Sequence, residues 1–305
     1  MGCLVGIYRV VFSAAGIACL ASSALVAAIS ATPDADATSP VNYVALGDSY
    51  SSGVGAGDYI SSSGSCDRST NAYPEQWADA NSPTSFVSVA CSGATTSDVL
   101  SSQVSALRAS TTLVSITIGG NDSGFSSTME TCVLESTSSC LRAVSADETF
   151  VATQLPARLD TTLQTIRTDA PNAKIVVLGY PALYDLSRSS WCIGLSTADR
   201  TALNHGADEL DSALATAAGA NSDTFAEVSS AFAGHEICDS GRWLNSVDIF
   251  DISSSYHPTA NGQILGYLPV FTAAVDTVSG SNRPVNSDQV PQALGGPDNW
   301  NHRPF

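Results

Sequence analysis

Gly47-Asp48-Ser49-Tyr50 offers a serine in a setting suited to nucleophilic chemistry. It closes an apolar run, Tyr43-Val44-Ala45-Leu46, that reads as a buried strand. Ser51, Ser52, Gly53, Gly55 and Gly57 follow, so the backbone turns sharply after the serine. A serine on such a turn sits at the carboxyl edge of a parallel sheet, where ligands bind. Its hydroxyl is a weak nucleophile until a base takes the proton. Four histidines are available: His205, His235, His257 and His302. His257 is the best base, because Pro258 confines it to extended dihedrals and a turn holds it. His205 lies in a helical pattern, His235 in a loop near Cys238, and His302 near the chain end.

Acyl transfer also needs donors aimed at the oxyanion, each worth about 2.7–4 kcal/mol of barrier. Ala90-Cys91-Ser92-Gly93-Ala94 follows a second strand-like run, and Ile118-Gly119-Gly120-Asn121-Asp122 a third. The backbone N–H groups of Ser49 and Gly93 and the side-chain amide of Asn121 are the candidates. The plainer readings are a turn glycine and an Asx-turn. Asp48 reads as a turn-fixing residue that accepts backbone N–H bonds rather than as a catalytic acid. The glycines after Ser49 lack both the dinucleotide spacing and the Walker Lys-Ser/Thr pair. No Gly-x-Ser-x-Gly elbow is present.

Taken in order, Gly47-Asp48-Ser49, Gly93, Gly119-Gly120-Asn121-Asp122 and Tyr256-His257-Pro258 resemble the four blocks of the SGNH hydrolases, or GDSL esterases and lipases. The resemblance extends over about residues 41–280 and is greatest to secreted actinobacterial members with six cysteines. It implies a Ser49–His257 pair, an oxyanion hole of Ser49, Gly93 and Asn121, and an acyl-enzyme needing no cofactor or metal. The common family pattern has an aspartate three residues before the histidine, where this chain has Ser254. The resemblance offers the carbonyl of Ser254 or Ser255 as the group that orients His257. Asp251 or Asp248, folding back, is the alternative.

Five apolar runs could position these residues: Tyr43–Leu46, Phe86–Ala90, Leu113–Ile118, Lys174–Gly179 and Thr224–Val228. Several are continuously apolar, as strands buried on both faces are. Helical segments alternate with them, which predicts a three-layer α/β/α domain on a parallel sheet. The resemblance adds a flavodoxin-like order for the five strands. Ser97, Ser145 and Thr197 read as helix starts, the second within a Ser-x-x-Glu box ending at Glu148. Pro74 fits the first turn of a helix carrying Trp77, and Pro258-Thr259 open a last helix. Ser123–Val144 and Tyr180–Ser196 read as polar insertions that rim the site.

Residues 10–29 are almost wholly apolar or small, Arg9 precedes them, and Ala35-Asp36-Ala37 fits a cleavage site. Residues 1–37 therefore read as a secretory leader, with a membrane anchor as the competing reading. The hydrolase domain is expected over 38–280, and 281–305 as an extended tail rich in Pro, Asn and Gly. Cys66, Cys91, Cys132, Cys140, Cys192 and Cys238 lie beyond the leader, an even number that predicts three disulfides in an exported chain. The resemblance implies sequential pairing: Cys66–Cys91, Cys132–Cys140 and Cys192–Cys238. With no Cys-x-x-Cys, zinc is a poor reading. The net charge of −17 excludes nucleic acid and disfavours anionic bilayers as partners. The expected substrate is a small-molecule or lipid-like ester, and the expected state a secreted monomer without stable membrane insertion. The rivals are a carbohydrate acetyl esterase on the same fold and a non-catalytic secreted binding protein.

Overall fold

The computed structural model describes residues 40–188, 194–247 and 254–276, all in one compact unit. The leader, the tail, Cys192, Asp248 and Asp251 lie outside the described residues. The elements run β1 (Asn42–Gly47), α1 (Ser49–Ser52), α2 (Tyr73–Asn81), β2 (Ser85–Ser88) and α3 (Thr96–Asp98). Then come β3 (Leu113–Thr117), α4 (Gly120–Ser123), α5 (Phe125–Leu134), α6 (Thr137–Thr153) and α7 (Leu155–Asp169). The chain continues through β4 (Lys174–Leu178), α8 (Thr197–Ala220), β5 (Thr224–Ala226), α9 (Ser229–Phe232) and α10 (Leu268–Asp276).

Among the described residues, the five strands form one parallel sheet in the order β2-β1-β3-β4-β5. From β1 the chain moves outward to β2, then crosses to β3 on the other side. The switch point therefore lies between β1 and β3, and a crevice opens at their carboxyl ends. Helices flank the sheet, α2 and α10 packing together and α7 and α8 packing together. β1 and β3 are buried almost throughout, as their apolar runs predict. Tyr43 anchors one layer, with ring centroids 5.3 Å from Trp77 and 5.5 Å from Phe271. Each such pair contributes about 0.5–1.5 kcal/mol beyond its buried area.

The core is also threaded by hydroxyls. Tyr43, Ser115, Tyr73, Ser51 and Thr117 lie within 2.6–3.2 Å of one another in sequence along this path, which ends on the Asp48 carboxylate. Buried hydroxyls are costly unless paired, and these are paired with each other.

Several helix starts differ from the sequence reading. The helix assigned to Ser145 begins earlier, with Ser136 accepting from the Ser139 N–H, so Ser145 and Glu148 are interior to α6. Glu148 pairs instead with His205 across to α8, at 2.7 Å. Thr95, not Ser97, caps α3 through a reciprocal box with Asp98. Ser196, not Thr197, caps α8 through a box with Asp199. The polar stretch Ser123–Val144 is largely helical, and the Cys132–Cys140 disulfide clips α5 to α6. A second disulfide, Cys66–Cys91, ties the loop after α1 to the end of β2. Pro74 does occupy the first turn of α2.

Gly47 ends β1 at φ 119°, and a Cβ there would collide with the Thr117 carbonyl and lie 2.9 Å from the Thr117 nitrogen. Gly47→Ala should therefore lower stability by at least about 2 kcal/mol. The check is the urea midpoint, which shifts while the slope stays constant. An unchanged midpoint would refute this account of the strand end.

Candidate active site

The site is built at the end of β1. Both polar groups of Gly47 are clasped by Gln103, whose Oε1 accepts at 2.7 Å and whose Nε2 donates at 2.9 Å. Gln103 is almost wholly buried, and the Gly47 carbonyl also accepts from the Cys91 N–H at 3.0 Å. The Asp48 N–H donates to the Thr117 carbonyl at 2.9 Å, lashing the turn to β3. The Asp48 side chain accepts from the Tyr50 N–H at 3.0 Å and the Thr117 hydroxyl at 2.7 Å. The Tyr180 hydroxyl also donates to it. Asp48 is thus the N-cap of α1, and Ser49 is the first helical residue. That position leaves the Ser49 N–H outside the helical bonding pattern and its hydroxyl at the sheet edge.

His257 arrives from far along the chain. Its Nε2 lies 2.7 Å from the Ser49 Oγ, and its Nδ1 lies 3.0 Å from the Ser255 carbonyl. A carbonyl can only accept, so Nδ1 carries the proton and Nε2 is left to accept from the serine. The Ser254 carbonyl accepts from the His257 backbone N–H at 3.3 Å. The preceding residue, Tyr256, sits at φ 66°, a strained setting for a bulky side chain. Three groups hold that strain in place. The Tyr50 hydroxyl donates to the Tyr256 carbonyl at 2.7 Å. The Asn245 backbone accepts from the Tyr256 N–H and donates to the His257 carbonyl, both at 2.9 Å. The Asn245 amide also donates to the carbonyls of Gly55 and His257, at 3.0 and 3.2 Å.

The donors face the same crevice. Among the described residues, neither the Ser49 N–H nor the Gly93 N–H has an acceptor. Gly93 has φ 76°, and a Cβ there would meet nothing within 4 Å, so the glycine serves the turn and leaves the crevice open. Asn121 lies in the first turn of α4 and spends one amide N–H on the Ala94 carbonyl at 3.1 Å. Its neighbour Asp122 accepts from the Thr96 N–H at 2.8 Å and hydroxyl at 2.6 Å, binding the β3 turn to the β2 turn. Ser49, Gly93, Asn121 and His257 all line one cavity of about 560 Å³. Its walls are Phe125, Met129, Val144, Val151, Leu203 and Leu210 from α5, α6 and α8.

The sequence pattern of the GDSL-like lipase/acylhydrolase family matches residues 45–264, the span that carries all of these groups. The chain belongs to that family. GDSL-like enzymes are ester hydrolases, and so is this chain, acting on small-molecule esters. It is 51% identical to lipase 1 of Streptomyces coelicolor over 89% of this chain and 98% of that one. It is 49% identical to a Streptomyces rimosus lipase over 80% of this chain and 91% of that one. The structure resembles that of phospholipase A1 from Streptomyces albidoflavus NA297, with a TM-score of 0.75 and 51% identity. That match covers 77% of this chain and 100% of the other. Within this GDSL-like fold, no described helix is long and apolar enough to cross a membrane.

The remaining described histidines lie elsewhere. His205 is an exposed partner of Glu148, and His235 stacks on Trp243 at 3.8 Å while its Nδ1 faces the Gly241 carbonyl. Asn245, Gln103 and Tyr180 escaped the sequence reading, because an isolated amide or phenol carries no periodic signal. Tyr50 stood in the motif but gave no hint that its hydroxyl reaches the Tyr256 carbonyl.

Burial pushes the Asp48 carboxyl up to about 6, the three hydrogen bonds to it offsetting only part of that cost. Burial likewise pushes Asp211 up to about 7, its bond from the Tyr180 N–H working the other way. Both groups hold protons in the folded state at a pH where the unfolded chain has lost them. Their stabilisation is therefore full below the ordinary carboxylate range and lost as pH rises through about 6 to 7. The melting temperature should fall between about pH 5 and about pH 8. Asp211→Asn, which keeps the acceptor for the Tyr180 N–H, should shrink that fall. An unaltered slope in the variant would show that Asp211 contributes nothing to it.

Proposed function

We propose that the chain is a secreted, monomeric lipase-type hydrolase of lipid-like acyl esters, working through a Ser49–His257 pair. The contact of His257 Nε2 with Ser49 Oγ at 2.7 Å, inside an apolar cavity, carries this reading. Ser49 attacks the acyl carbonyl as His257 takes its proton. The oxyanion faces the N–H groups of Ser49 and Gly93 and the free amide N–H of Asn121. His257, its tautomer held by the Ser255 carbonyl, returns the proton to the leaving alcohol. Water, activated by the same imidazole, then releases the acid and restores the serine. The cavity of about 560 Å³ lies in the range of sites for sizeable ligands, far more room than an acetyl group needs. This argues for medium or long acyl chains and against a carbohydrate acetyl esterase. Similarity to a phospholipase A1 and to lipases supports glycerolipid esters as the substrate class.

The same reading includes export through residues 1–37, with cleavage after Ala37. Two disulfides among the described residues and the similarity to an extracellular lipase of Streptomyces rimosus support it. The third pairing, Cys192–Cys238, follows from the family resemblance, and the extended tail over 281–305 from its Pro, Asn and Gly content.

Hydrolysis of p-nitrophenyl esters by residues 38–305 should peak at medium or long chains and vanish in Ser49→Ala. Asn121→Ala should lower kcat about 10²–10³-fold. A profile confined to acetyl esters would overturn the lipase reading, and turnover surviving in Ser49→Ala would overturn the nucleophile. Asn245→Ala frees the segment that holds His257, so kcat should fall about 10–100-fold with KM little changed. A rise in KM at constant kcat would instead make Asn245 a substrate contact.

A further inference from the structure

The wall of the acyl cavity carries carboxyl groups that an apolar chain should not meet, and Asp147 stands among its apolar residues. Asp147 lines it from α6, one turn from Val144 and one turn from Val151, so the three share a helix face. The Asp147 Oδ1 lies 3.6 Å from where a Cβ would stand at Gly124, the residue joining α4 to α5. A carboxyl therefore sits in the wall just beyond the turn that carries Asn121. Among the described residues, no cation pairs with it. The charged groups around it come from each neighbouring element. Glu148 stands beside it on α6 and is paired with His205 of α8 at 2.7 Å. Glu130 lines the same cavity from α5. Asp122 of α4 is paired with Arg158 of α7 at 3.4 Å. His257 lies in the crevice itself.

We propose that Asp147 is a specificity-determining residue of the acyl subsite, its ionisation setting the enzyme's preference between short and long acyl chains. The proposal rests on the reading of this cavity as the acyl site. A long chain that fills the cavity strips water from the carboxylate, and an unpaired charge resists that loss. A short chain leaves the water in place. When the carboxyl is protonated the penalty disappears and the wall becomes compatible with hydrocarbon. Burial already holds this carboxyl up at about 6, aided by the nearby charge of Glu148 and opposed by the Thr128 hydroxyl. Acyl binding pushes it further in the same direction. Preference for long chains should therefore rise as the pH falls through this range.

The test is a ratio of two kcat/KM values, for p-nitrophenyl decanoate and p-nitrophenyl butyrate, read at the isosbestic wavelength of the product. Titration of His257 in the free enzyme affects both substrates equally and cancels from the ratio. In the wild-type chain the decanoate-to-butyrate ratio should rise about fivefold to tenfold between about pH 8 and about pH 5, as expected for a shift of up to one pKa unit. Asp147→Asn should give a ratio that is flat with pH and near the wild-type acidic limit. Asp147→Leu, which also removes the polar head, should be flat as well. A wild-type ratio that does not move, or one that moves equally in Asp147→Asn, would overturn the proposal. Ala207→Phe tests the underlying reading separately, since it fills the cavity wall of α8 and should depress decanoate while sparing butyrate. Equal effects of that variant on both esters would remove the acyl-site reading itself.

Discussion

The structure depends on one contact between two distant parts of the chain. Ser49 and His257 meet at 2.7 Å across 208 positions of sequence. Ser49 opens the short helix after the first strand, and His257 precedes the last helix. A parallel sheet with a switch point next to β1 solves this placement, because every strand then delivers its loop to the same edge. β1 brings Ser49, β2 brings Gly93, β3 brings Asn121, and β4 brings Tyr180 behind them. The last segment needs only to return over that edge, and Asn245 and Tyr50 fix where it lands.

Holding a serine still at the end of a strand has an internal cost, and the chain meets it with polar groups inside the core. Asp48 is nearly inaccessible, yet it takes bonds from Tyr50, Thr117 and Tyr180. Gln103 is as deeply buried and closes the strand end. A path of hydroxyls then runs from Asp48 through the sheet to Tyr43. Such a network is stabilising only when complete, since each lost partner strands another buried group. It therefore specifies the turn geometry more sharply than apolar packing would.

Strands and motifs were legible because they are local. The central strands are runs of apolar residues, and each of the first three motif blocks follows a strand. Helix starts were less legible. Ser145 and Glu148 have the spacing of a capping box, but they also have the spacing of neighbours inside a helix, and the second reading holds. Ser123–Val144 reads as a polar insertion because it is rich in Ser, Thr and Glu, although Met129, Cys132, Cys140 and Val144 are buried. Its helices also form a wall of the cavity, and a disulfide clips them together.

The sequence by itself determined the α/β class, the strand set, and the residue types a serine hydrolase requires. These are written in short windows, where backbone geometry dictates periodicity and where glycine and proline mark the turns. Only the tertiary structure decided which carbonyl faces His257, how Asn245 and Tyr50 hold its segment, and which helices enclose the cavity. It also placed Asp147 in the cavity wall between Val144 and Val151. Each of these is a meeting of groups far apart in the chain, governed by packing and by the pairing of buried polar atoms. No local pattern encodes such a meeting, because its energy exists only once both partners have left water.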